Sequence, residues 1–119
     1  MKTYIGDLVD SGCGGQEVTV CRVERHKVDK QKLPLEPSLK LYAHSPTGFN
    51  WGYQGSGPAQ LALAILFDLT GDTDLSVRLH QDFKRHFIAT SGERLIITEP
   101  DIRAWLVWKA KVTDANLRR

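Results

Sequence analysis

Gly57-Pro58-Ala59-Gln60-Leu61-Ala62-Leu63-Ala64-Ile65-Leu66-Phe67, running on through Asp68-Leu69-Thr70 to Gly71, decides the fold. Proline suits the start of a helix, because its missing N–H would go unpaired there anyway. Placing Pro58 at the first helical position makes Gly57 the N-cap and puts Gln60 third, where its carboxamide can reach back to the cap. Gly71 supplies the left-handed residue on which helices commonly end. The segment therefore predicts a helix over about 58–70. From Leu61 to Phe67 no side chain is polar, and a helix apolar all round is one enclosed by protein. It is the expected centre of the core.

Upstream, residues 2–33 read as β structure. Tyr4-Ile5 and Leu8-Val9 flank Gly6-Asp7, and Asp10-Ser11-Gly12-Cys13-Gly14-Gly15 is a cluster of turn formers. Glu17–Val23 alternates, with Val18 and Val20 on one face and Thr19, Cys21 and Val23 on the other, the pattern of a hairpin strand. Residues 24–40 are polar and broken by Pro34 and Pro37, a solvated strand edge and loop, and Leu39-Lys40-Leu41-Tyr42 suggests one more short strand. Downstream, Asp72-Thr73-Asp74 caps a helix over about 74–88, with Leu75, Leu79, Phe83 and Phe87 as its buried stripe. Ser91-Gly92 breaks it, Arg94–Thr98 is a short strand, and Thr98-Glu99-Pro100-Asp101 opens a last helix with Ile102, Trp105, Leu106 and Val112 facing inward. The tail Asp114–Arg119 is expected to fray. The fold class is α+β: an N-terminal β-hairpin or small antiparallel sheet packed on three helices, as a single domain spanning 1–119.

The 119 residues suffice for one core, with 41% hydrophobic and 25% charged residues, and that composition excludes a disordered chain. The formal net charge of +2 permits nucleic acid as a partner without arguing for it. Two cysteines, Cys13 and Cys21, are too few for a disulfide-stapled secreted domain and read as reduced thiols. The longest apolar stretch, Leu61–Phe67, is too short to span a bilayer. These features lead to the expectation of a cytoplasmic protein with no membrane partner.

Two segments are candidate sites. In the first, Gly48-Phe49-Asn50-Trp51-Gly52-Tyr53-Gln54-Gly55-Ser56-Gly57 feeds the central helix. Glycines before a helix N-terminus suit an anion, but Pro58-Ala59 stands where the phosphate-loop motif needs Lys-Ser/Thr. The glycines equally serve tight turns. The alternating Phe49, Trp51 and Tyr53 either plug the core edge or present an aromatic binding surface. Trp51, Tyr53, Gln54, Gly55, Ser56, Gly57 and Gln60 are the candidate partner- or ligand-binding residues. In the second segment, Arg22 to Lys40, six basic residues face three acidic ones. Arg22, Arg25, Lys27, Lys30 and Lys32 either protect a strand edge or form a patch for an acidic partner. His26, His44, His80 and His86 show no metal-ligand spacing, and no catalytic, metal or cofactor pattern stands out. Asp82 and His86, four apart, read as a surface pair.

The stretch Ser45-Pro46-Thr47-Gly48-Phe49-Asn50-Trp51-Gly52-Tyr53-Gln54-Gly55-Ser56-Gly57-Pro58-Ala59-Gln60-Leu61-Ala62 resembles the central motif of a family of short bacterial, plasmid and phage proteins known only as a domain of unknown function. Tyr4-Ile5-Gly6 and Thr98–Leu106 resemble its early and late motifs. The resemblance brings no catalytic residues and implies a small accessory protein of mobile elements. The resulting expectation is a non-enzymatic interaction protein, a phage or mobile-element factor that modulates a host protein such as a defence complex, in the manner of an anti-CRISPR inhibitor. The alternatives are a nucleic-acid-binding accessory protein and a small-ligand or anion-binding domain at the Gly52–Gln60 helix start.

Overall fold

The computed structural model describes residues 1–9 and 15–117, with side chains to Thr113. Strand β1 (Lys2–Asp7) is followed by β2 (Thr19–Glu24), β3 (Lys27–Lys32) and the short helix α1 (Glu36–Leu41). Then come α2 (Ser56–Thr70), α3 (Thr73–Phe83), a π-helical turn (Lys84–Ile88), β4 (Arg94–Thr98) and α4 (Glu99–Leu117). The strands form one antiparallel sheet in the order β3-β2-β1-β4. The α+β expectation holds, with four helices rather than three.

The sheet has one covered face. Tyr4, Val20, Leu95 and Ile97 are buried on it, and pairing places them side by side: Tyr4 opposite Val20 and Ile97, Gly6 opposite Leu95. Against this layer lies α2, whose residues Gly57 to Leu66 are all buried. The apolar run seen in the sequence is therefore the centre of the molecule. It ends on Gly71 at φ 65°, as expected.

Helix α2 begins earlier than proline placement suggested. Gly55 is its N-cap, so Pro58 stands third and not first. The first four N–H groups of a helix lack partners, so a proline is harmless at any of these positions. Gln60 consequently does not cap the helix. Leu39–Tyr42 is a second correction, since Leu39 to Leu41 belong to α1, with Pro37 in its first turn. A three-residue Leu-Lys-Leu alternation fits either period, and the proline decides for helix.

The third helical stretch is capped by Asp72, whose carboxylate accepts the Leu75 N–H at 3.0 Å. It does not run regularly to residue 88. After Phe83 the chain widens into a π-helical turn, with the Ala89 N–H donating to Lys84 O at 2.8 Å. The wider turn brings Ile88 into the core while Phe87 stays half-buried. Helix α4 starts where expected, Thr98 Oγ1 accepting the Asp101 N–H. It continues to Leu117, so residues 114–117 are helical rather than frayed. A polar seam ties three elements together: Tyr4 Oη and Lys2 Nζ both donate to Asp68 Oδ2 on α2, and the Lys2 N–H donates to Glu99 Oε1 on α4.

Candidate functional site

The glycine- and aromatic-rich loop divides into a buried half and an exposed half. Phe49 and Trp51 are core residues, Trp51 only 1% exposed, whereas Tyr53 is 48% exposed. Trp51 lies flat under β1: a Cβ on Gly6 would sit 2.5 Å from the indole Cη2. Its Nε1–H donates to Glu93 O at 3.2 Å, and the Gly52 N–H donates to Ile88 O at 3.0 Å. Gly48, at φ 138°, packs its backbone on Gly15, so closely that a Cβ would stand 2.6 Å from the Gly15 Cα. Both positions need glycine, one for its dihedral and both for the contact. Of the candidate residues in this loop, Trp51, Gly57 and Gln60 are buried, Gly55 is half-buried under the Tyr53 ring, and Tyr53, Gln54 and Ser56 face solvent.

Gln60 has a different task from the one its position suggests. It is 0% exposed. Its Oε1 accepts the N–H groups of His44 and Ser45 at 2.7 and 3.0 Å, and its Nε2 donates to Ser38 Oγ at 2.9 Å. Ser38 in turn donates to Leu35 O at 2.8 Å. The only polar side chain in the buried stretch Gly57–Leu66 thus fixes the chain leaving α1. A lone glutamine in that otherwise apolar stretch was the readable signal.

That anchoring presents His44 to His80 of α3. Their Nε2 atoms are 2.8 Å apart, and Tyr42 stacks on the His44 ring at 4.3 Å. His80 Nδ1 lies 2.6 Å from Val77 O, which makes Nδ1 the protonated nitrogen and leaves Nε2 as the acceptor. Burial, and the Lys84 charge nearby, hold both imidazoles below their ordinary pKa. Asp82, expected beside His86, instead pairs with Arg85 and Lys109 at 2.8 Å each.

An acid-sensitive stability follows. Because the folded-state pKa values of His44 and His80 are depressed, their contribution is complete above the ordinary value of 6.5 and is lost as pH falls through the lower folded values. Asp82 and Glu99, also depressed by their cationic and N–H partners, add a second loss below their ordinary values of 3.8 and 4.5. Melting temperature measured between pH 7.5 and 5 should decline in the wild type. It should decline less in His44→Gln/His80→Gln, and equal slopes would refute the assignment.

The second candidate segment lies at the opposite end of β1. Arg22 is opposite Lys2, whereas Trp51 packs on Gly6, so the structure does not join the two sets. Residues 24–40, expected to be strand edge and loop, contain all of β3, exposed along its whole length. The patch divides between faces: Lys30 and Lys32 pair with Cys21 and Thr19 on the outer face, while Arg22 and Lys27 lie on the helix side and Arg25 is at the tip, at φ 54°. Among the described residues, no element covers the outer face. Val28 is 62% exposed, Ile96 57%, and Val23 and half-buried Cys21, Thr3 and Ile5 lie between them. Among the described residues Cys21 has no disulfide partner, and Cys13 lies outside them.

An open depression of about 640 Å³ lies beside Asn50, Trp51 and Tyr53, and a groove of about 370 Å³ runs between Val18, Leu33 and Phe49. The cleft between Lys2, Arg22, Asp29 and Asp68 holds about 100 Å³, below the few hundred usual for a small-molecule site. No group of three metal-ligating side chains occurs among the described residues. No described helix is long and apolar enough to cross a membrane.

Fold and surface define a small α+β domain with a half-covered antiparallel sheet and a basic edge hairpin. A family of unknown function, DUF6166, matches residues 14–108, and the chain belongs to that family. No curated protein and no solved structure matches it.

Proposed function

We propose that this protein is a small non-enzymatic interaction protein that takes an acidic protein partner on the β2–β3 hairpin and the adjoining outer sheet face. The observation that carries this reading is strand β3, which stands clear of the core along its whole length. From Thr19 to Lys32 the hairpin holds five basic residues against two acidic, more than the net excess of the entire chain. Lysines on a solvated edge keep it from pairing indiscriminately, and the same charges steer an acidic partner. Beside them Val23, Val28 and Ile96 supply apolar contact on a flat surface. The partner in this reading is a host protein, and the setting a phage or mobile element acting on a defence complex.

Charge reversal tests the surface. Lys27→Glu/Lys30→Glu/Lys32→Glu should leave folding nearly unchanged, since exposed substitutions shift stability by about 0.5 kcal/mol or less each. It should weaken partner capture at least about tenfold, or about 1.4 kcal/mol. A nuclease-treated pull-down with wild type and variant reads the result. A partner held equally by both moves the interface elsewhere. Capture that vanishes with nuclease assigns the hairpin to nucleic acid, whose affinity would also fall steeply with salt.

A further inference from the structure

We propose that His44 and His80 form a two-imidazole site for a divalent transition-metal ion of the zinc or nickel class. The two Nε2 atoms point at one another from different elements, 2.8 Å apart. Metal ligands at about 2.0–2.1 Å in tetrahedral geometry stand about 3.3 Å from each other, so the rings need part by only about half an ångström. His44, in a half-exposed loop, can supply that movement.

Two features favour a metal over a plain hydrogen bond. The first is orientation. Metal-binding histidines characteristically donate their other ring N–H to a carbonyl, which fixes the tautomer, and His80 does so through Nδ1 to Val77 O at 2.6 Å. Its Nε2 lone pair is thereby permanently directed at the site. The second is preorganisation. Gln60, wholly buried, accepts the N–H groups of His44 and Ser45, and Tyr42 stacks on the His44 ring.

Binding moves the His44 proton from Nε2 to Nδ1 through solvent, so that both Nε2 lone pairs meet the ion and no net proton is released from the neutral pair. Water completes the coordination on the exposed His44 side, because no third histidine, cysteine or carboxylate joins the cluster among the described residues. The Lys84 ammonium, which disfavours the imidazolium, disfavours the metal for the same reason.

Zinc chloride titrated into untagged protein at pH 7.5, followed by calorimetry and by melting temperature, tests this. Wild type should take up one equivalent with a rise in melting temperature. His44→Gln and His80→Gln should each lose at least tenfold in affinity, Lys84→Gln should bind more tightly than wild type, and His26→Gln/His86→Gln should bind normally. His44→Gln, at the half-exposed ring, keeps the test valid if the buried His80 variant unfolds. No one-to-one uptake by folded wild type up to millimolar zinc would overturn the proposal. So would uptake indifferent to His44→Gln.

Discussion

Replacing Trp51 by alanine is expected to cost about 3–5 kcal/mol, the range for a large aromatic removed from a closed core. For a domain of this size that corresponds to a fall in melting temperature of roughly 10–20 °C. The indole has no slack around it. It lies under Gly6 of β1, its Nε1–H donates to Glu93 O, and the next residue's N–H is tied to Ile88 O. Its neighbour supplies the sharper test. Gly6→Ala places a methyl 2.5 Å from Cη2, and overpacking of this kind costs about 1–3 kcal/mol. That cost is partly offset by the gain of about 0.5–1 kcal/mol from removing a strand glycine. In a Trp51→Phe background the clashing ring is gone, so Gly6→Ala should be neutral or stabilising. Urea unfolding of the four proteins should give a coupling energy of at least about 1 kcal/mol. Additive effects would mean that β1 and the loop do not share this contact.

Trp51 also shows where sequence reading stops. Residues two apart share one face of an extended segment, so Phe49, Trp51 and Tyr53 read as one set, but Gly52 at φ 87° breaks the alternation and nothing local says which side is inward. The structure buries the first two and exposes the third, because the loop is sealed by Gly6, Gly15 and Ile88, all distant in sequence. The central helix was legible because its signal is compositional and local: an unbroken apolar run ended by Gly71. The β3 strand was less so. Its residues, Lys-Val-Asp-Lys-Gln-Lys, are exposed on every side, so no hydrophobic alternation exists to be seen. What defines it is pairing with β2, a tertiary fact. The π-helical turn at Lys84–Ile88 shifts a side-chain phase that a four-residue spacing takes as constant.

The histidine pair is a harder case of the same kind. His44 and His80 are 36 residues apart, so no motif spacing connects them, and their juxtaposition depends on a side chain that reads locally as a helix cap. The basic hairpin, by contrast, was visible as a charge excess from Arg22 to Lys40. The structure adds that this excess divides across two faces and borders a sheet face that no described element covers.

Gln60→Leu is the variant that isolates the support beneath that pair. Leucine matches glutamine closely in volume, so no cavity opens among the α2 neighbours. What changes is hydrogen bonding alone. The N–H groups of His44 and Ser45 lose their acceptor and Ser38 Oγ loses a donor. An unsatisfied buried donor costs about 1–3 kcal/mol. His44 and Ser45 are only half-buried, which admits some water and puts the expected total near 2–4 kcal/mol. Gln60→Glu separates acceptor loss from charge. A glutamate can still accept both N–H groups, but a buried carboxylate is expensive and its pKa rises. Relative to wild type at each pH, Gln60→Glu should therefore recover as pH falls and the carboxyl takes up a proton, whereas Gln60→Leu should not. The His44 ring resonances, followed by NMR in the same samples, should move toward those of an exposed imidazole in Gln60→Leu. A folded Gln60→Leu protein with wild-type stability and an unmoved His44 would show that the loop holds its histidine without the buried amide. The pair would then be positioned by Tyr42 stacking and α3 alone.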